Sequence, residues 1–180
     1  MRSEKINIKF SIIAAVTIDG KIAKNNHQFT DWTSPEDKDF LHQQLDKSDC
    51  VIVGNNTYKI SHQPLSRRNC LVFTKSVDAV RPAGKLCLYV NPAKVNLEKL
   101  VKQKSYRRIA VLGGMQVYSW FLQQRLVDDI YLTIEPVIFG AGLSLFDVKL
   151  KKILKNFKLI SVRRLNKTGT ILLHYIKSNS

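Results

Sequence analysis

Hydrophobic and polar positions along the chain alternate between a period typical of buried strands and a period typical of amphipathic helices. KFSIIAAV (9–16) is a near-continuous apolar run, which predicts a strand buried on both faces. SPEDKDFLHQQLDKS (34–48) predicts a helix with Ser34 as its N-cap and Pro35 at its first position. The same patterns predict strands at 50–54, 69–75, 85–90, 108–114 and 128–139, helices at 97–105 and 115–125, and a short helix or turn at 57–63.

The order of these elements predicts an α/β fold with a mostly parallel central sheet and helices on both of its faces. FKLISVRRL and TILLHYIK, joined around 166–169, predict an antiparallel C-terminal hairpin. The whole chain, residues 1–180, is interpreted as one domain. In such sheets ligands bind at the carboxyl ends of the strands, so residues at those ends are the candidate site.

Composition favours a cytoplasmic protein without a membrane segment. The apolar fraction is 44%, which argues against disorder, and no apolar run reaches the roughly 20 residues of a membrane helix. The first residues lack the apolar core and cleavage site of a signal peptide. Cys50, Cys70 and Cys87 lie beside apolar runs without metal-ligand spacing, which indicates buried free thiols in a reducing compartment.

The net charge of +15 raises the hypothesis of a basic nucleic-acid-binding protein without catalytic activity. The stretch from Lys149 onward contains Lys and Arg but no Asp or Glu. Its charges alternate with apolar residues, as in a half-exposed strand, and no RNP-type or zinc motif accompanies them. A solvated basic face is therefore favoured, and the expected partners are small molecules, with the protein a monomer or a homodimer.

Two junctions of strand, glycine and helix are candidate cofactor sites. Gly54 follows CVIV and precedes Asn55, whereas Gly113 and Gly114 follow IAVL and precede a helix. A glycine lets the backbone approach a ligand, and the first N–H groups of the next helix can bind phosphate. Tight packing or a turn would explain each glycine alone, and the GxGxxG fingerprint is absent.

The histidines and the remaining polar residues show no metal-ligand cluster. Their sequence neighbours include no carboxylate or nucleophile at a spacing typical of a metal or catalytic site. We therefore predict no metal, and we interpret the four histidines as surface or structural residues: His27, His42, His62 and His174.

Short motifs between about Lys9 and Tyr175 stand in an order that is typical of one superfamily. They are SIIAAVTIDGKIA (11–23), WTSPED (32–37), VGNNT (53–57), PLSRRN (64–69), FTK (73–75), LGGMQVY (112–118), YLT (131–133) and the segment from VDD to FGAGLSLF (127–146). In these motifs the chain resembles the superfamily that joins dihydrofolate reductase to the reductase domain of bacterial riboflavin biosynthesis. The resemblance implies a reductase that uses NADPH.

The resemblance also implies roles for individual residues. Asp37, Thr133 and Trp32 would be catalytic, and Arg68 would hold the glutamate of folate. The other substrate-binding positions would be Ile13, Ala14 and Leu41. The cofactor would be bound by Ala15, Ile22, Gly54, Asn55, Asn56, Thr57, Thr74, Lys75, Leu112, Gly113, Gly114, Met115, Gln116, Val117 and Tyr118.

Two positions decide between the branches of the superfamily. Riboflavin-pathway reductases usually carry a glutamate before the paired glycines, where this chain has Leu112, and an arginine roughly where it has Leu45. The absence of both, together with Asp37 and Thr133, favours a pterin substrate. The sequence therefore predicts reduction of dihydrofolate, with reduction of a ribosylaminopyrimidine phosphate as the alternative.

Asp37 has a chemical role that is independent of the resemblance. A carboxylate offers two acceptor oxygens, which match the N–H and NH2 groups of a 2-aminopyrimidinone ring. Burial against apolar strands would raise its pKa and let it favour protonation of the ring. An acid in the first turn of a helix can also simply offset the helix dipole.

Overall fold

A central sheet of nine strands organises the computed structural model, which describes residues 7–25, 27–28, 30–147 and 156–178. A second pairing, of two short strands, lies within the same described ranges. The strands are β1 (Lys9–Thr17), β2 (Lys21–Ala23), β3 (Cys50–Gly54), β4 (Cys70–Phe73), β5 (Val80–Pro82), β6 (Cys87–Val90), β7 (Arg108–Val111), β8 (Asp129–Glu135), β9 (Leu143–Ser144), β10 (Phe157–Arg164) and β11 (Ile171–Lys177).

The sheet is mostly parallel, as the sequence predicts. Its order is β10-β11-β8-β1-β7-β3-β4-β6-β5, and the strands from β8 to β6 pair in parallel. The β10–β11 hairpin adds to β8 in antiparallel orientation, and β5 pairs antiparallel with β6 at the other edge. The carboxyl ends of β1, β3, β7 and β8 therefore lie next to one another at one edge of the sheet.

The helices are α1 (Pro35–Asp46), α2 (Asn55–Ile60), α3 (His62–Leu65), α4 (Leu97–Gln103) and α5 (Met115–Gln123). The start of α1 is set by its sequence, because Ser34 Oγ accepts a hydrogen bond from the Asp37 N–H at 3.3 Å. Asn96 caps α4 in the same way, accepting from the Lys99 N–H at 2.9 Å. Each cap satisfies a backbone donor that the helix itself leaves unpaired.

Apolar side chains form a core on each face of the sheet, which confirms helices on both faces. One core joins α4 and α5 to the sheet, with Phe121 fully buried at its centre. The other joins α1, α2 and α3 to the opposite face through Phe40, Tyr58 and Leu65. Complete burial of a side chain such as Phe121 contributes about 2–3 kcal/mol to folding. The three cysteines are buried free thiols, as the sequence predicts.

Three short strands are absent from the sequence prediction. β2 and β9 pair only with each other, and β5 is an exposed edge strand that contains Pro82. The β2–β9 pairing joins residues distant in sequence, so no local pattern reveals it, whereas β5 is a three-residue strand whose proline is unfavourable for a strand. No described helix is long and apolar enough to cross a membrane.

The basic C-terminal strand is more exposed than the half-exposed strand that the sequence predicts. Every residue of β10 from Lys158 to Arg164 is exposed, because β10 is the outermost strand of the sheet. The rest of that interpretation falls on residues 148–155, which lie outside the described residues.

Candidate active site

Asp37 is the buried acid at the carboxyl edge of the sheet. It lies in the first turn of α1, and its side chain is 8% exposed. Hydrogen bonds from Thr133 and Thr33 stabilise its ionised form, but desolvation has the larger effect, and its pKa is raised above the usual 3.8. A buried carboxyl at such a position can accept a hydrogen bond from a ring N–H and so favour protonation elsewhere on the ring.

Thr133 contacts Asp37, and Trp32 lies at the same edge of the sheet, beside Phe139. Thr133 is buried on β8, opposite Ala15 of β1, and hydrogen-bonds to the acid. Trp32 packs edge-on against Phe139 with ring centroids 5.0 Å apart. Its indole N–H is buried without an acceptor among the described residues, so it can donate a hydrogen bond to a bound molecule. The structure thus brings the three predicted catalytic residues to one edge of the sheet.

The two glycine junctions also meet at this edge. The N–H of Gly54 donates to the carbonyl of Gly113 at 2.7 Å, which joins the ends of β3 and β7. Gly54 and Gly114 are the N-cap residues of α2 and α5, and neither helix start has a side-chain cap. The Gly113–Gly114 peptide bond is cis. The first backbone N–H groups of both helices are therefore open to an anionic ligand.

A tyrosine explains why position 113 must be glycine. Gly113 has φ +89°, and a Cβ there would lie 2.5 Å from the ring of Tyr118. That ring is buried, and its hydroxyl donates to the carbonyl of Ile13 at 2.9 Å. Gly114, in contrast, has open space: a Cβ there would have Thr57 Oγ1 as its nearest neighbour at 3.8 Å, with Ile22 at 4.0 Å.

The other predicted cofactor residues divide by exposure. Val117 is buried and packs 3.2 Å from the position of a Cβ on Gly54, so its side chain supports the junction. Asn56, Gln116 and Lys75 are exposed. The remaining predicted positions are partly exposed around the same strand ends: Ala15, Ile22, Asn55, Thr57, Thr74, Leu112 and Met115.

The predicted substrate residues are not all free to bind a ligand. Ile13 and Ala14 are buried in β1, and Leu41 is half-buried on α1 beside Asp37. Arg68, in contrast, donates to Asp46 at the end of α1 at 2.6 Å. A folate tail would have to compete with this carboxylate for the arginine.

Comparison with known proteins identifies the family. The sequence profile of the RibD C-terminal domain matches residues 9–81 and 64–171, which is most of the chain. The chain belongs to the RibD C-terminal domain family. The resemblance stated from the motifs is thereby confirmed.

Individual relatives of this RibD C-terminal domain show how far the likeness extends. The uncharacterized protein YwjB of Bacillus subtilis is 27% identical over 146 residues, covering 77% of this chain and 82% of that protein. RibD of Acinetobacter baumannii superposes with a TM-score of 0.76 at 17% identity, over 97% of this chain and 59% of that longer one. Dihydrofolate reductase from Enterococcus faecalis, complexed with NADP(H), gives 0.63 at 20% identity, over 95% and 97%. At these identities the structural matches show a shared fold.

Two polar residues of this RibD C-terminal domain were not predicted from the sequence. Glu135 is buried two residues after Thr133 and accepts a hydrogen bond from the Ser34 N–H at 2.7 Å. The strand pattern Thr-x-Glu places both side chains on one face and is the signal that could have revealed it. Thr33, the residue before the N-cap Ser34, hydrogen-bonds to Asp37. Nothing in the local sequence around Thr33 predicts that contact.

The histidine interpretation needs one correction. His174 Nε2 lies 2.7 Å from Asp129 Oδ1, so it does have a carboxylate partner, which sequence spacing did not show. Asp129 also pairs with Lys9 at 2.8 Å. The cluster lies at the amino ends of β1 and β8, away from Asp37, and joins three strands. It is structural, as expected for this residue.

Proposed function

We propose that the protein is an NADPH-dependent reductase of a 2-amino-4-oxopyrimidine ring, with dihydrofolate as its substrate. The observation that supports this most is the buried pair of Asp37 and Thr133, placed at the same edge of the sheet as the two glycine junctions. An acid that recognises the ring and a surface that approaches a diphosphate are the two parts that such a reductase requires.

Asp37 binds and orients the ring in this proposal. Its two oxygens accept the ring N–H and the 2-amino group in a charge-assisted fork. Thr133 hydrogen-bonds to the same carboxyl and fixes its plane. Bound in this way, the negative charge of Asp37 favours protonation of the ring nitrogen next to the carbon that receives hydride, and solvent supplies that proton.

The glycine junctions fit the diphosphate of a nicotinamide cofactor. A Cβ atom at position 114 would have no side-chain atom closer than 3.8 Å. No side chain caps the start of α2 or of α5. Thr57 and Ile22 line the space beside Gly114. NADPH, when bound, supplies the hydride for the ring carbon, while the proton reaches the adjacent nitrogen separately.

Lys75 is expected to select NADPH through its 2′-phosphate. Lys75 follows β4, is exposed, and has Thr74 beside it, whose hydroxyl lies 2.9 Å from that of Ser76. A charge-assisted contact contributes about 1–3 kcal/mol, so Lys75→Ala should weaken NADPH binding by roughly tenfold and leave NADH nearly unaffected. Isothermal titration with both cofactors measures this.

Lys85→Ala is the matched control, because Lys85 is exposed but precedes β6 and so lies toward the amino ends of the strands. It should leave both affinities unchanged. Equal losses for NADPH and NADH in Lys75→Ala would contradict a role in 2′-phosphate recognition.

A riboflavin-pathway pyrimidine phosphate is the second candidate substrate. Membership in the RibD C-terminal domain family supports it, and so does the ion pair of Arg68 with Asp46, which competes for the proposed folate anchor. The same Asp37 fork would serve a diaminopyrimidinone ring. NADPH oxidation measured with dihydrofolate and with the ribosylaminopyrimidine phosphate side by side decides between them. Reduction of only the phosphate would overturn the dihydrofolate proposal.

Arg68→Ala separates the two substrates. If Arg68 exchanges Asp46 for the glutamate of dihydrofolate, its loss should raise the Michaelis constant for dihydrofolate by roughly tenfold, with little change in turnover. A pterin without the glutamate tail should be unaffected. Arg67→Ala is the control, because Arg67 is the exposed neighbour. Equal Michaelis constants in the two variants would exclude the role of Arg68.

A further inference from the structure

Strand β8 buries polar side chains on one face and leaves apolar side chains half-buried on the other. The polar residues are Thr133 and Glu135, which lie on the face that α1 covers. Leu132 and Ile134 alternate with them and so point to the opposite face, where both are only half-buried. Contact of apolar side chains with water is unfavourable. This face of β8 is therefore incompletely covered in the single chain.

The C-terminal hairpin extends the same face by two strands. The strand register places Leu173 beside Leu132, and Val162 beside Leu173, which forms one apolar row across β8, β11 and β10. Val162 is 60% exposed, and Leu159 on the same strand is 44% exposed. Six apolar side chains on this face form what we call the hairpin patch: Leu132, Ile134, Leu159, Val162, Ile171 and Leu173.

Exposed apolar side chains are concentrated around the hairpin patch. Seven large apolar residues are exposed in the described part of the chain, and all except Val80 and Leu86 lie on β10 or just after β1 and β8. Ile18 and Ile138 follow β1 and β8, and their segments are adjacent because the Ile18 N–H donates to the Val137 carbonyl at 2.9 Å. Single exposed apolar residues are normal, but a contiguous group indicates an interaction surface.

The charged side chains of β10 do not contribute to the hairpin patch. Arg163 lies on the opposite face, with its guanidinium 5.9 Å from the centre of the Phe40 ring of α1. Arg164, at the end of the patch, donates to two backbone carbonyls of the hairpin turn. The six patch residues themselves are uncharged, although the chain has a net charge of +15. The patch therefore favours an apolar partner over an anionic one.

We propose that the hairpin patch is the interface of a homodimer, in which this face of two copies packs together about a two-fold axis. A second copy presents the same apolar, uncharged surface, so the contact is self-complementary. The two sheets would pack face to face about 10 Å apart, as in a β-sandwich. Because Asp37 lies on the opposite face of the sheet, the candidate active site stays open in the dimer.

The size of the patch fits the centre of such an interface. A standard interface buries about 800 Å² and roughly 20–30 residues of each partner, with an apolar centre and a polar rim. The hairpin patch, together with Ile18 and Ile138, supplies the apolar centre, and the basic residues of β10 supply part of the rim.

The mass of the full chain in solution is the first test. Sedimentation equilibrium at micromolar concentration should give twice the mass of one chain. A monomer would overturn the proposal, whether the patch is then bare or binds a lipid surface or a different protein.

Salt dependence tests whether the contact is apolar. Two copies that each carry a net charge of +15 repel one another, and salt screens this repulsion. The dissociation constant should therefore fall by roughly threefold or more as sodium chloride is raised from about 50 mM to about 500 mM. A dissociation constant that rises with salt would indicate a charged contact and overturn the proposal.

Val162→Glu tests the position of the interface, with Val80→Glu as the matched control. Both valines are exposed on edge strands of the same sheet, at 60% and 42%, so the folded monomer should tolerate either glutamate. Val162→Glu should raise the dissociation constant by roughly 10²-fold or more, because the two-fold axis places the charge in the interface twice. Val80→Glu should leave it unchanged. A folded Val162→Glu variant that dimerises like the wild type would overturn the proposal.

The wild-type protein decides the matter if Val162→Glu does not fold. A soluble paramagnetic reagent broadens the NMR signals of methyl groups that it can reach. In the wild-type dimer the methyl signals of Leu159 and Val162 should be protected, whereas those of Val80 and Leu86 should broaden. Equal broadening of the two pairs would overturn the proposal. None of these measurements depends on catalytic activity, so they distinguish failure of the dimer from failure of the proposed function.

Discussion

Asp37→Asn is expected to reduce dihydrofolate turnover by roughly 10²-fold or more, the usual scale for a positioned acid. Asparagine keeps the shape of the side chain but lacks the negative charge that favours protonation of the ring. It also presents an amide N–H2 where the ring needs an acceptor. The loss should shrink at low pH, where the substrate arrives already protonated. Steady-state NADPH oxidation between acidic and neutral pH measures both effects.

The same substitution should stabilise the folded protein at neutral pH. Since burial raises the pKa of Asp37 above 3.8, the native state holds its proton more tightly than the unfolded state. Stability from this group is therefore complete below about pH 3.8 and is lost as the pH rises through the folded pKa. The difference in Tm between Asp37→Asn and wild type should grow with pH and then level off.

Asp39→Asn is the control for both measurements. Asp39 lies two residues further along α1 but is exposed, so its replacement should change neither turnover nor the pH dependence of Tm appreciably. An Asp37→Asn enzyme with wild-type turnover would remove Asp37 from the mechanism. Lower stability at neutral pH would show that the ionised Asp37 is better solvated than its burial indicates.

Local sequence patterns were sufficient to predict features that depend on a single strand or helix. The apolar run CVIV is wholly buried in β3, and the Ser34-Pro35 pair begins α1 as predicted. The two glycine junctions meet because the carboxyl ends of neighbouring parallel strands share one edge. These features depend on hydrophobic periodicity, capping and sheet geometry, all of which are visible in the sequence.

Element ends were less predictable, because each depends on a single residue. The strand predicted at 128–139 ends at Glu135, before Pro136, which has no N–H to donate to a sheet. The helix predicted at 97–105 ends at Gln103, and Ser105 takes a left-handed conformation with φ +59°.

Partners distant in sequence could not be predicted at all. Asp129 on β8 pairs with His174 on β11, and Glu135 on β8 accepts a hydrogen bond from Thr170, the residue before β11. Both contacts result from the register between β8 and β11. A single sequence carries no record of that register, although the polar residues themselves were visible. The acid at Asp37 was found only because its motif resembled that of a known superfamily.

Gly114→Ala is expected to weaken NADPH binding by at least tenfold, or about 1.4 kcal/mol. The added methyl group would occupy the space in which we place the cofactor backbone. It should not disturb the protein, because its nearest neighbours would be Thr57 Oγ1 at 3.8 Å and Ile22 Cδ1 at 4.0 Å. These are ordinary contact distances, so binding and stability should separate. Titration calorimetry and thermal unfolding of the same preparation measure the two.

Substitutions at two other glycines are the controls for this prediction. Gly84→Ala adds the same methyl group in a turn with nothing within 4 Å, and it should change neither NADPH affinity nor Tm appreciably. Gly113→Ala should fail differently, because its Cβ would lie 2.5 Å from the Tyr118 ring at φ +89°, and it should lower Tm. If Gly114→Ala lowers Tm as Gly113→Ala does, then Gly114 is required for packing of the folded protein. Full NADPH affinity in a folded Gly114→Ala would place the cofactor elsewhere, since a ligand against this backbone cannot share its space with a methyl group.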